Sequence, residues 1–379
     1  MSNEIAQIYG ELRASIKQPA VDLRRDGRAV FIYGAGGVGR DVYKALSHLG
    51  VPVLGFLDRA ATPGAAWQGN AIWNANDPTI SPLQRSDSRV VVAIHNAFVE
   101  LPPIIENLRR LGYPDVVSFL DLHDIWPDKF GDRFWLTRRA FYLETEAYCQ
   151  ATDQLWADEA SRSLFRAVLR FRFQKDYRLL PAPDVTRQYF DPTVCNWSAP
   201  LRFMDCGAFD GDTLAQIIKM RTPVQSILAF EPDAANFSKL CQFAASHRSV
   251  LPQDLYLYPC GVDAETCQVR FSGGCGASGH LSDLGESVIQ CVSIDQVAFG
   301  FAPTLIKMDI EGAELAALQG AQATIIRHRP GLAICVYHRP EHLWQIPGLV
   351  SSWYGRGAKY FLRSHGYNDF DLVFYAVPE

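Results

Sequence analysis

Leu305-Ile306-Lys307-Met308-Asp309-Ile310-Glu311-Gly312-Ala313-Glu314-Leu315-Ala316-Ala317-Leu318-Gln319-Gly320 is the stretch on which the reading of this chain turns. Leu305, Ile306 and Met308 form an apolar approach that reads as a buried strand. Asp309 and Glu311 stand where the strand ends, and Gly312 releases the chain into a helix. Two carboxylates at the carboxyl end of a parallel strand lie on the rim where open α/β sheets bind ligands. Acids also favour a helix N-terminus, so the plainer alternative is that Asp309 and Glu311 cap the following helix. What precedes them decides between the two.

Upstream, Leu201–Cys206 reads as another strand, running into Gly207-Ala208-Phe209-Asp210-Gly211-Asp212-Thr213 and a helix through Leu214–Met220. Ser226–Phe230 is a further strand, ended by Glu231-Pro232-Asp233. Strand, glycine turn, helix, strand and acid follow in order, which is the layout of a ligand crevice. The glycines are spaced G-x-x-x-G, which is not the dinucleotide pattern. Asp205 sits just inside the turn. Asp212 and Thr213 open the helix and are equally suited to capping it.

A first crevice lies nearer the N-terminus. Arg28–Tyr33 is a short strand leading into Gly34-Ala35-Gly36-Gly37-Val38-Gly39, and Val38–Leu49 carries apolar residues at helical spacing. Gly50 stops that helix, and Val51–Leu57 is a strand that ends at Asp58, 19 residues after Gly39. This matches a G-x-G-x-x-G fingerprint with its distal acid. Gly34, Gly36 and Gly39 would let a phosphate approach the helix N-terminus, and Asp58 would accept from ribose hydroxyls. The alternative is a scaffold whose glycines only permit tight helix–strand packing. Arg89–Ile94 and Val116–Leu120 are further strands, with Ile104–Leu111 a helix between them.

Composition bounds the rest. A chain of 379 residues suggests two or three domains, and 48% hydrophobic with 20% charged residues suits a globular protein. The net charge is −5 with no block of like charges, so neither nucleic acid nor an anionic membrane surface is an expected partner. No signal peptide or membrane span is read, and a cytoplasmic location is expected. The nine cysteines are scattered and include no C-x-x-C, which predicts reduced thiols and no structural zinc.

Three motifs then fall in register: Asp205-Cys206-Gly207-Ala208-Phe209-Asp210-Gly211-Asp212-Thr213, Phe230-Glu231-Pro232-Asp233, and Lys307-Met308-Asp309-Ile310-Glu311-Gly312-Ala313-Glu314. Supporting runs are Tyr258–Val262, 292–297 and Ile334–Pro340. From about Phe203 to Val377 the chain resembles the FkbM family of S-adenosylmethionine-dependent O-methyltransferases. The resemblance implies a class I methyltransferase sheet, mostly parallel with a terminal antiparallel hairpin, here from Lys359–Leu362 and Asp371–Ala376. It implies S-adenosylmethionine as cofactor, with Asp205, Gly207 and Gly211 beside its methionine half. Asp212 and Thr213 would then meet its carboxylate, Glu231 and Pro232 its ribose, and Gly261 and Val262 its adenine. Phe209 stands where the family often has a small polar residue.

For the chemistry, His338 is the expected general base, with His342 second; Asp309 would face the sulfonium, and Glu311 would hold a hydroxyl or act as base. A divalent metal on Asp309 and Glu311 lacks a third acid fixed by spacing, so none is expected. Ser278, in the glycine-rich run 272–279, is the contact expected of a lid; a plain surface turn is the alternative.

The expected architecture is α/β, with two Rossmann-like open sheets: residues 1–125, a helical linker or cap over 126–198, and the methyltransferase sheet over 199–379. The first domain resembles that of sugar O-acyltransferases, which implies a nucleotide or nucleotide-sugar in its crevice. Within the linker, Arg170, Arg172 and Tyr189 are candidates to roof an acceptor site. The expected acceptor is a hydroxyl of a sugar, nucleotide-sugar or related polysaccharide or polyketide precursor, with a homo-oligomer in view. The rivals are an NAD(P)-dependent sugar oxidoreductase using the N-terminal crevice, and a non-catalytic nucleotide-binding protein.

Overall fold

Lys307 is the charged residue in a strand whose other side chains are Leu305, Ile306 and Met308, and all four are buried. A strand without a polar face belongs inside a sheet covered on both sides. In the computed structural model, which describes residues 4–16, 23–24, 27–195, 197, 200–272, 280–281 and 287–379, it lies there. The chain divides into two compact units. One comprises Met1–Gln150, Leu164–Pro183 and Gly366–Phe370; the other Ala151–Ser163, Asp184–His365 and Asp371–Glu379. The segment 126–198 is shared between them.

The first unit holds β1 (Val30–Tyr33), β2 (Val53–Leu57), β3 (Ala66–Trp67), β4 (Asn70–Trp73), β5 (Arg89–Val92) and β6 (Asp115–Ser118), in the order β3-β4-β2-β1-β5-β6. All neighbours are parallel except β3, which pairs antiparallel with β4. The helix Gly37–His48 follows β1 directly. This is the Rossmann-like sheet expected from the sequence.

The second unit holds β7 (Leu201–Cys206), β8 (Val224–Phe230), β9 (Asp254–Tyr258), β10 (Gly261–Val262), β11 (Cys267–Ser272), β12 (His280–Leu281), β13 (Ser287–Val292), β14 (Leu305–Met308), β15 (Gly331–Cys335), β16 (Ala358–Ser364) and β17 (Leu372–Pro378). Its main sheet is ordered β16-β17-β15-β14-β7-β8-β9. β17 runs antiparallel to both neighbours, and the pairs from β15 to β9 are parallel. The terminal hairpin and the mostly parallel sheet are those expected. β10 to β13 form a separate four-stranded sheet. Among the described residues, no helix is long and apolar enough to cross a membrane.

The turn after β7 is tight for a physical reason. Gly207 has φ +87°, and a Cβ on it would lie 2.0 Å from the Asp309 carbonyl oxygen. Gly207→Ala should therefore cost about 2–5 kcal/mol, combining left-handed strain with overpacking against backbone. The urea midpoint of unfolding reads this directly, and an unchanged midpoint would show that the two turns separate freely.

Candidate active site

The register of the sheet brings four strand ends to one level. Cys206 pairs with Met308 and Phe230, Met308 with Ile334, and Phe230 with Tyr258. The residues that follow therefore emerge side by side along one edge: Gly207 after β7, Glu231 after β8, Asp309 after β14, and His338 shortly beyond β15. Parallel strands place this edge where open α/β sheets hold ligands.

Beneath the edge lies a buried ion pair. Lys307 and Asp205 are register partners on adjacent strands, with Nζ 2.9 Å from Asp205 Oδ1, and Nζ also donates to the Gly207 carbonyl. Burial disfavours the ammonium, but Asp205, Asp309 and Asp212 together hold it charged well above the usual lysine range. Burial pushes the Asp205 carboxyl up to about 6, against the pull of Lys307, which still leaves it ionised at neutral pH. The ammonium also sits 5.3 Å from the centroid of the Tyr189 ring.

The glycine turn is fastened to the end of β8. Glu231 is buried, and its two oxygens accept from the backbone N–H groups of Phe209 and Asp233, each at 2.9 Å. Burial nevertheless pushes its carboxyl up to about 7. Phe209, the residue that departs from the family's usual turn, has φ +48°. A bulky side chain seldom adopts that backbone, and the Glu231 hydrogen bond to its N–H helps to hold it there. Gly211, at φ +97°, precedes the helix Asp212–Met220, and a Cβ on it would lie 2.9 Å from the Phe243 ring. Pro232 follows Glu231 directly. Thr213 is buried, and its N–H is bonded to Asp212 Oδ1 at 2.7 Å. Gly261 and Val262 are buried in β10, beside β13.

At the other end of the edge, charged groups gather around His338. Its Nδ1 donates to Glu314 Oε1 at 2.7 Å, while Nε2 lies 3.3 Å from Asp309 Oδ1 and 3.8 Å from Glu311 Oε2. Burial alone would lower the pKa of the imidazole; Glu314, Glu311 and Asp309 outweigh it and raise the value well above the ordinary one. Burial likewise opposes ionisation of Asp309, yet His338, Lys307 and Tyr189 bring its carboxyl down to about 2. Burial, opposed by His338 and aided by repulsion from Asp309 and Glu314, drives Glu311 up to about 8. The side chains of Asp309 and Glu311 are 24% and 20% exposed, while those of His338 and Glu314 are at 1% and 0%. The two acids thus form the accessible front of the cluster, with the imidazole behind them.

Asp309, Glu314 and His338 offer ligand atoms within 4.8 Å of one another. The Glu314–His338 hydrogen bond already occupies part of that set, and the group has the character of an ion-pair network.

Tyr189 closes this end of the edge. Its hydroxyl donates to Asp309 Oδ2 at 2.6 Å, and its backbone N–H donates to the Tyr375 hydroxyl at 3.0 Å. Asp371, pushed up to about 6 by burial and by Asp309, receives a hydrogen bond from Tyr337. The arginines proposed alongside Tyr189 are committed elsewhere. Arg172 is fully buried against Asp369 at 2.7 Å, and Arg170 pairs with Glu4 at 3.1 Å, both within the first unit. Each is held in its own ion pair, which corrects the expectation that they roof an acceptor.

In the first unit, Asp58 Oδ2 accepts from Ala35 N at 2.9 Å, closing the acid onto the glycine turn. Gly34 has φ +105°, and a Cβ on Gly39 would lie 1.8 Å from the Gly34 carbonyl oxygen, so helix–strand packing already requires both; Gly36 faces open space. His342 Nδ1 lies 3.2 Å from Glu314 Oε2. Ser278 and its glycine run from 273 to 279 lie outside the described residues. The eight described cysteines are free thiols.

Two residues that organise the site received no role from the sequence, Lys307 and Glu314. Lys307 carried a signal: a charge in an otherwise apolar buried strand needs a partner. Glu314 reads as one more acid in the first turn of a helix, and nothing local marks it as buried.

Residues 205–368 match the family described as Methyltransferase FkbM domain. Among solved structures, methyltransferase FkbM from Methylobacillus flagellatus KT superposes with a TM-score of 0.76 and 21% identity, covering 98% of this chain and 100% of that one. At that identity the likeness speaks for the fold. An rRNA methylase from Streptococcus thermophilus has a TM-score of 0.29 and 12% identity, covering 46% of this chain and 85% of its own. Aeropyrum pernix fibrillarin, with natively bound S-adenosyl-L-methionine, has a TM-score of 0.29 and 11% identity, covering 47% and 66%. Neither of these two distant likenesses bears on function here. No curated protein matches the chain.

Proposed function

We propose that this chain, whose residues 205–368 match the FkbM methyltransferase domain, moves a methyl group from S-adenosylmethionine to a hydroxyl of a sugar, a nucleotide-sugar or a related polysaccharide or polyketide precursor. The observation that carries the reading is the single sheet edge on which Gly207, Glu231, Asp309 and the His338 cluster stand together. The donor set fits the cofactor. Asp212 is an acid suited to an amino group, with Asp205 holding Lys307 beneath it; the helix Asp212–Met220 presents its N-terminus to a carboxylate, and Glu231 suits a ribose diol. When bound, the cofactor supplies a sulfonium methyl group for in-line displacement.

The chain's own residues then have to align the acceptor, exclude water and take its proton. Asp309, ionised and accessible, faces the sulfonium. Glu311 is poised near working pH and stands in front of the imidazole, so it is the better placed base; His338 acts from behind as a charged partner. Under this assignment the methylation rate rises with pH toward about 8, the value to which Glu311 is driven. His338→Ala should lower kcat with little effect on cofactor affinity, and Glu311→Gln should remove the pH-dependent limb. A limb that survives in Glu311→Gln but vanishes in His338→Ala would return the role of base to the histidine.

The N-terminal crevice is proposed to recognise the nucleotide part of the acceptor, a reading supported by Gly36 and Gly37, where added side chains would meet nothing. Calorimetric titration of the full chain with S-adenosylhomocysteine and, separately, NAD tests the assignment. Micromolar binding of the first alone supports the methyltransferase reading and justifies screening hydroxylated sugars. Binding of NAD alone moves the chemistry to the N-terminal crevice.

A further inference from the structure

Glu314 is fully buried. Oε1 accepts from Ile310 N at 2.9 Å, Gly312 N at 3.4 Å and His338 Nδ1 at 2.7 Å, and Oε2 lies 3.2 Å from His342 Nδ1. Ile310 and Gly312 flank Glu311, which has φ +56°. A left-handed backbone costs an L-residue about 1–2 kcal/mol, and such strain persists only where surrounding contacts over-determine it, commonly at functional sites. Here one carboxylate grips the backbone on both sides of the strained residue. The same oxygen takes the ring nitrogen of His338, whose other nitrogen faces Glu311 and Asp309.

The geometry points to Glu314 as the positioning residue of the acceptor end: it holds Glu311 in its left-handed conformation and turns the His338 ring so that Nε2 backs Asp309 and Glu311, leaving those two carboxylates to meet the acceptor. The inference rests on the methyltransferase reading only for what the acceptor is.

The groups facing His338 come from every element around it. Glu314 stands on the helix Glu314–Gln319, Asp309 and Glu311 on the loop after β14, and Asp371 on the approach to β17. Tyr337 packs against the ring, with centroids 4.1 Å apart, and His342 reaches the cluster through Glu314. Three acids lie within 4 Å of its two nitrogens, so the ring is a bound cation rather than a free base. Glu314 is the buried and closest of the three. Removing its charge while keeping its shape therefore separates electrostatic positioning from simple packing.

The test is imidazole nitrogen NMR on the full chain labelled at histidine, with the His338 signal assigned from the spectrum of His338→Gln. In the wild type both ring nitrogens of His338 should stay protonated well above the ordinary histidine midpoint of about 6.5. In Glu314→Gln the midpoint should fall by about one unit or more, since losing a carboxylate at hydrogen-bond distance is worth at least that. Glu314→Asp, which keeps the charge, should lie closer to the wild type. S-adenosylhomocysteine affinity, read by calorimetry, should change by less than about twofold, because the residue does not touch the cofactor end. A midpoint unchanged in Glu314→Gln overturns the inference, since a packing role alone would lower stability and leave the ring as it was. If that variant does not fold, the wild-type spectrum still decides: a neutral His338 at pH 7 overturns it, and a protonated one upholds it. Failure of the wild type to bind S-adenosylhomocysteine would sink the methyltransferase reading and leave the NMR result standing.

Discussion

Lys307→Met should destabilise the second unit by about 3–5 kcal/mol, the range for removing one partner of a buried ion pair. The methionine fills the space of the lysine stem, so what is lost is charge and hydrogen bonding. The loss falls on groups that have no water to turn to. Asp205 is fully buried with Lys307 as its counter-ion, and the Gly207 carbonyl loses the donor it has in Nζ. Asp212 and Asp309 also lose a cation that helps keep them ionised. Adding Asp205→Asn should restore much of the stability, because a neutral pair avoids the stranded carboxylate. Urea unfolding followed by tryptophan fluorescence measures both variants. A single variant as stable as the wild type would mean that these three acids do not need the ammonium, and the account of the cleft floor would fail.

The Lys307 pair lies beyond what local sequence encodes. Leu305–Met308 was placed to the residue, because three apolar side chains bounded by acids and glycine have few other places to go. The glycine turn, Glu231 at the end of its strand and the closing hairpin were legible for the same reason: each is a local pattern with a local cause. Burial is a weaker guide to a strand's end: β15 stops at Cys335 although Val336 and Tyr337 are buried too. The partners of the charged residues were not legible. Lys307 finds Asp205 about a hundred residues away through sheet register, and Tyr189 reaches Asp309 after an even longer interval from a turn outside the sheet; no single segment encodes either. The arginine stripe shows the reverse error. Arg170 and Arg172 read as available to a ligand, but Glu4 and Asp369 neutralise them. Spacing reveals which face a side chain shares; only the fold reveals what meets it.

Glu231→Ala should weaken S-adenosylhomocysteine binding more than tenfold, and the effect should depend on pH. A carboxylate that takes two ribose hydroxyls makes charge-assisted hydrogen bonds, each worth about 1.5–3 kcal/mol, so losing both exceeds the 1.4 kcal/mol that a tenfold change requires. The pH dependence follows from burial, which pushes the Glu231 carboxyl up to about 7 although the N–H groups of Asp233 and Phe209 pull it down. Only the ionised form can accept from both ribose hydroxyls at once, so binding and deprotonation favour each other. Affinity should therefore rise as pH climbs through about 7, level off above it, and fall below it by up to tenfold per pH unit. Glu231→Gln, which keeps the shape and cannot ionise, should bind weakly with no slope across that range. The slope separates two roles that a single affinity value would merge. If Glu231 only fastened the Phe209 turn, either substitution would loosen the turn and weaken binding by a similar factor at every pH, and the wild type would show no rise through 7. A rise in the wild type that is absent from Glu231→Gln places the carboxylate on the cofactor itself. An unchanged Kd in Glu231→Ala would refute the ribose contact and move the adenosine end of the cleft away from β8.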